Sequence, residues 1–198
     1  MRDVFELEPK TQIQQDSSYI VSYPYLLAFF QKPGPLNVSD LVVGAHFVYG
    51  WMPTALDLYV GPRKSDLDRG TDILNSAKAE GELSDRDLRD LVRLINKSLV
   101  GTSKLLHFLR PDGFPIWDSK TYAFVFEEKP HHYRVNEISK YREYQAHLAR
   151  IQERHGFARF HASMTTKVGY EISPLRSIEL VMFLKAPAFD RPARQATN

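Results

Sequence analysis

The chain has 198 residues, no cysteine, and 26 basic against 24 acidic side chains. That length fits one ordinary domain, or at most two small ones, and buries enough surface to need no covalent staple. The missing cysteines exclude a disulfide framework, a cysteine-ligated zinc finger, an iron–sulfur cluster and a cysteine nucleophile. The net charge of +2 conceals an asymmetry, since residues 1–128 carry 14 basic and 18 acidic groups while residues 129–198 carry 12 and 6. A basic last third points to an anionic partner, or else to arginines solvated on helix surfaces.

Helical signals follow one another along the chain. Met1 to Glu8 alternates charged and apolar residues and has no leader-like apolar core. Ser22 and Pro24 read as a helix start, with Leu26, Leu27, Phe29 and Phe30 behind them and Pro33-Gly-Pro35 as the stop. This apolar run is too short to span a bilayer. No membrane association and a cytoplasmic location are therefore expected. Ser39-Asp40 can cap a second helix carrying Leu41, Val42, Ala45, Val48 and Tyr49. Ser65, with Asp66 and Asp68 in the first turn, starts a third that Gly81 ends. Ser84 to Asp87 resembles a capping box ahead of Leu88, Leu91, Val92, Ile95 and Leu99, which repeat at helical spacing.

The last third is equally helical. Asn136 can cap a stripe of Ile138, Tyr141, Tyr144, Leu148 and Ile151, closed near Gly156. Phe157 to Lys167 makes a further helix. Ser173-Pro174 is a cap followed by a first-position proline. Residues 175–184 are apolar nearly all round, as in a central helix. Only Tyr19–Ser22 and Ile116–Val125 offer strand-like pieces. The expected fold is therefore all-α, a single bundle of about eight helices over residues 1–186, with a flexible tail at 187–198. Its central elements are expected at 84–99, 103–109, 119–127 and 174–185.

The most distinctive stretch runs from Gly101 to Lys120. Gly101 is read as breaking the preceding helix, and Thr102 or Ser103 as capping a short new one that begins with Lys104. Backbone N–H groups in such a turn suit a phosphate oxygen. Pro111-Asp-Gly113 turns the chain, Phe114, Ile116 and Trp117 anchor its return, and Asp118 stands where another helix begins. The pattern Gly-x-x-Lys, apolar helix, turn, Pro-Ile-x-Asp-Ser resembles the helix–hairpin–helix DNA glycosylase superfamily. The segment Phe114 to Ser119 is also similar to one found in helical bacterial proteins.

The glycosylase resemblance covers roughly 25 residues and implies an all-helical protein that binds double-stranded DNA through the hairpin. It places Gly101 in the hairpin, Lys104 at the Schiff-base lysine and Asp118 at the catalytic aspartate. With it come Thr102, Ser103, His107 and Lys120 as nucleic-acid contacts, and Trp117, Tyr122 or Tyr133 as surfaces on which a base stacks. The bland alternative makes Asp118 a helix cap, Lys104 a surface lysine and Trp117 core. On that view the chain is a non-catalytic helical interaction or structural domain.

Nothing in the seven histidines matches a metal signature, and no cofactor motif is present. Glu179 lies inside the apolar last helix, three residues after Arg176. It reads either as one half of a buried structural pair, or as a carboxyl facing a pocket shared with Asp118.

Overall fold

The computed structural model describes residues 2–52, 54–60 and 65–189. The expected tail at 187–198 lies mostly outside these. Among the described residues eleven α-helices follow in order: α1 (Val4–Leu7), α2 (Ser18–Phe30), α3 (Val38–Trp51), α4 (Ser65–Glu80), α5 (Asp85–Leu94), α6 (Leu99–Leu109), α7 (Ser119–Phe126), α8 (His132–Val135), α9 (Ile138–Gln152), α10 (Phe157–Val168) and α11 (Pro174–Leu184). A single 3-10 turn follows α1. The described residues contain no strand, only an isolated bridge between Leu58 and Ile95.

The helix starts follow cap chemistry. Ser84 caps α5 by accepting from the Asp87 amide, and Ser173 caps α11 by accepting from that of Arg176, both as expected. For α3 the cap is Asn37, which forms a reciprocal box with Asp40 and leaves Ser39 inside the helix. Asn136 is also reassigned. Its side-chain oxygen accepts from the Leu99 amide at 2.9 Å, so it serves the start of α6 rather than the start of α9.

The strand-like piece Tyr19–Ser22 is helical, and Ser22 does not begin α2, because that helix starts four residues earlier and carries Pro24 within it. A proline there has no N–H for the carbonyl four residues back, which is that of Ile20. Tyr170 fills the gap, its hydroxyl donating to Ile20 O at 2.8 Å.

Two helices lie at the centre. α6 buries nearly every side chain and touches α2, α3, α4 and α5. α11 buries residues 175–182 and packs against α7, α9 and α10. One expectation is corrected in this region. The α5 helix ends at Leu94, not at Leu99, and Gly101 does not break a helix. The break is the segment from Ile95 to Ser98, where Asn96 and Lys97 have positive φ (55° and 49°). It is pinned from outside, with the Asn96 amide donating to Asp57 O and the Tyr59 amide to Leu94 O. Gly101 lies in the first turn of α6, and glycine is required there by a close approach. A Cβ at this position would stand 2.1 Å from the Tyr49 hydroxyl oxygen.

Candidate active site

The segment from Phe114 to Trp117 lies outside any helix and is buried, so its peptide groups have no water to bond. Side chains from two helices meet them one after another. His107 donates from Nδ1 to Phe114 O at 2.8 Å. Tyr141 donates to Pro115 O at 3.1 Å, and Tyr144 to Ile116 O at 3.1 Å. Ser103 Oγ accepts from the Trp117 amide at 3.1 Å and lies 3.3 Å from Trp117 O. Trp117 itself donates from its indole to Val135 O at 2.8 Å. Helices α6 and α9 thus clamp this strap at every residue, and the strap delivers Asp118 to a fixed place.

Asp118 then performs two tasks. Its Oδ1 accepts from the amides of Lys120 and Thr121 at 2.9 and 3.0 Å, capping α7. Its Oδ2 faces Lys104 Nζ at 3.9 Å. Lys104 comes from the second turn of α6, and its ammonium end also lies 5.8 Å from the centre of the Trp51 ring. Burial holds the Lys104 amine below the usual lysine range, and Arg176 pushes the same way, while Asp118 and Glu179 oppose them.

Both residues line one cavity of about 490 Å³. Its aromatic walls are Trp51, Tyr19 and Phe183, its apolar floor includes Ile116 and Leu180, and Gln12 and Gln14 stand on the N-terminal side. Arg176 and Glu179 of α11 complete it as a buried ion pair. The Arg176 guanidinium also lies 4.8 Å from the ring centre of Tyr23 and 5.9 Å from that of Trp51. Lys104, Asp118, Arg176 and Glu179 therefore form one group of two cations and two carboxyls. The two readings of Glu179 hold together, as it is paired with Arg176 and lines the same cavity as Asp118.

The remaining sequence candidates fall elsewhere. Gly101, Thr102, Ser103 and His107 are buried and offer no surface to a phosphate. Thr102 donates back to Ser98 O within its helix, and Ser103 holds the strap. His107 is locked between Phe114 O and the Tyr23 hydroxyl, which lies 2.7 Å from Nε2. A carbonyl can only accept, so Nδ1 carries the proton and Nε2 accepts from Tyr23. Burial, helped by Arg176, lowers the His107 pKa to about 3, and the ring stays neutral. Trp117 and Tyr122 are fully buried and pack edge-to-face, which corrects their reading as base-stacking surfaces. Lys120 is exposed, with its ammonium 4.0 Å from the ring centre of Phe183 at the cavity wall. Tyr133 is exposed but does not line the cavity.

Trp51, Tyr19, Gln12, Gln14 and Phe183 were not legible as site residues. Only Phe183 left a signal, lying one helical turn after Glu179 on the same face. No group of three or more metal-ligating side chains occurs among the described residues, and none of their helices is long and apolar enough to cross a membrane. Comparison of the chain with family models, curated proteins and solved structures found no match.

Proposed function

We propose that the cavity between α6, α7 and α11 is a base-excision site, in which Lys104 attacks the sugar of a nucleotide turned out of DNA and Asp118 assists. The carrying observation is the approach of Lys104 to Asp118, 3.9 Å apart in one cavity with aromatic walls. Such a site needs an amine that loses its proton readily, a carboxylate beside it, and apolar walls for a flat heterocycle. Burial lowers the amine pKa, Oδ2 of Asp118 is the neighbouring carboxylate, and Trp51, Tyr19 and Phe183 supply the walls. The cavity also falls within the 300–1,000 Å³ of ordinary ligand sites. On this reading the turn from Ile95 to Ser98 between α5 and α6 serves as the hairpin, in place of the one expected at Gly101, and Lys120 beside Phe183 is the phosphate contact.

The test is borohydride trapping and strand incision on duplex oligonucleotides carrying uracil, 8-oxoguanine, alkylated adenine or a preformed abasic site. A covalent protein–DNA adduct is expected, lost in Lys104→Gln and slowed about 100-fold or more in Asp118→Asn. Duplex binding should weaken steeply with salt. Failure of all the substrates, with no salt-dependent binding, refutes the reading.

A second reading, a helical interaction domain, is favoured by the outer face of α2 and α3. Helix α2 has no charged residue, and Val21, Tyr25, Val43 and Phe47 are exposed along the pair. Sedimentation over a range of concentrations tests it, and association lost in Tyr25→Lys supports it.

A further inference from the structure

We propose that Glu179 is the general acid of the same cavity, giving its proton to the base as the base leaves; this rests on the base-excision reading above. Attack by Lys104 and departure of the base have different needs. As the Nζ lone pair forms the bond to C1′, the bond from C1′ to the base breaks and its electron pair goes to the base nitrogen. The surplus proton on Nζ passes to Asp118 Oδ2. The base would then leave as an anion into an apolar cavity, which is costly unless it is protonated. Asp118 is committed on the side of the amine, and its other oxygen caps α7.

Glu179 is the other carboxyl group of this cavity, 2% exposed and carried on the central helix α11 with Leu180 and Phe183 beside it on the lining. The neighbouring donors are unsuited to the task. Arg176 does not give up a proton at physiological pH. His107 is committed to Phe114 O and Tyr23, and Tyr144 to Ile116 O. Glu179 gives its proton to the base nitrogen and becomes a carboxylate beside Arg176, its ion-pair partner one turn earlier. Arg176 thus stabilises the charge that the transfer leaves behind.

The electrostatics agree. Burial pushes the Glu179 carboxyl up to about 7, and Asp118 adds to this, against the pull of Arg176 and Lys104. Tyr23 from α2 and Tyr144 from α9 also feel its charge. Near neutral pH the carboxyl is therefore divided between the form ion-paired with Arg176 and a protonated form, and the protonated form is the one that acts.

The experiment compares two reactions of the full chain. One is release of the base from the duplex oligonucleotides named above. The other is borohydride trapping on a preformed abasic site, which has no leaving base. With Glu179→Gln, base release should fall about 100-fold or more while trapping keeps its wild-type rate. In the wild type, base release should decline above about pH 7, with trapping free of that decline. Base release at the wild-type rate in Glu179→Gln overturns the proposal, and so does an equal loss of both reactions in a folded variant. If Glu179→Gln does not fold, the wild-type profiles decide, and a decline common to both reactions overturns it. Absence of both reactions in the wild type is a different outcome, which removes the base-excision reading itself and this proposal with it.

Discussion

Lys104 and Asp118 are 14 positions apart in sequence, and the strap between them brings Nζ within 3.9 Å of Oδ2. The same carboxylate uses Oδ1 to cap α7. Helix start and reactive pair are thus built from one side chain, and substitutions can separate them. Asparagine retains an oxygen for the cap, whereas alanine does not. Asp118→Ala should therefore be less stable than Asp118→Asn by about 1 kcal/mol, the usual worth of a cap. Urea denaturation of the two variants measures the difference, and equal stabilities would show that the cap contributes nothing.

The strap makes a stronger demand on α9. Removing the Tyr144 hydroxyl leaves Ile116 O buried without its donor, and removing that of Tyr141 does the same to Pro115 O. Each Tyr→Phe change should cost about 1–3 kcal/mol, the penalty for orphaning a buried polar group. Chemical denaturation reads the loss. Both changes should also weaken the delivery of Asp118, which a lower rate of borohydride trapping would register.

His107 has a stability signature with a definite sign. Its folded pKa of about 3 lies below the ordinary 6.5, so between these values the unfolded chain binds a proton that the folded chain does not. Stability from this group is fully present above pH 6.5 and is lost as pH falls, by roughly 1.4 kcal/mol per unit. The difference in unfolding free energy between the wild type and His107→Gln should shrink at that slope from pH 6 to pH 4. Glu179 works in the opposite direction. Its raised pKa gives stability at low pH that is lost as pH rises from about 4.5 through about 7. The two partly cancel in the wild type, so the slope emerges only by comparison with the variant. NMR supplies a direct check, in that the His107 ring should remain neutral at pH 4.5.

Gly101 separates a packing role from a hairpin role. A methyl group there would meet the Tyr49 hydroxyl oxygen at 2.1 Å and its ring carbons at 2.5 and 2.7 Å. Gly101→Ala should cost about 1–3 kcal/mol through overpacking. In a Tyr49→Ala background the same change should be close to neutral or stabilising, since alanine is the better helix former. A glycine held for a left-handed turn would show no such rescue, and an unchanged penalty in the double variant would argue against the packing account.

Much of the helical pattern was legible because cap residues and apolar spacing are local properties. Ser84, Ser173-Pro174 and the stripe from Ile138 to Ile151 announce their helices without help from the rest of the chain. The errors fall where a distant residue overrides a local signal. Pro24 looked like a helix start because nothing near it shows that Tyr170 takes over the free carbonyl of Ile20. Gly101 looked like a breaker because the ring it accommodates comes from α3. Asn136 looked like the cap of its own helix and instead accepts from the first amide of α6, whose cap is Ser98.

By itself, then, the sequence determined an all-α protein with a central element expected at residues 174–185, and it singled out Lys104, Asp118 and Glu179. Only the tertiary structure decided that these three share a cavity with Arg176, Trp51 and Phe183, and that Thr102, Ser103, His107, Trp117 and Tyr122 lie inside the protein. The physical reason is that helix caps and amphipathic faces depend on neighbours within about one turn. A cavity depends on partners far apart in the chain: the buried strap is satisfied by side chains of α6 and α9 up to 28 positions away, and His107 of α6 is held in turn by Tyr23, 84 positions away.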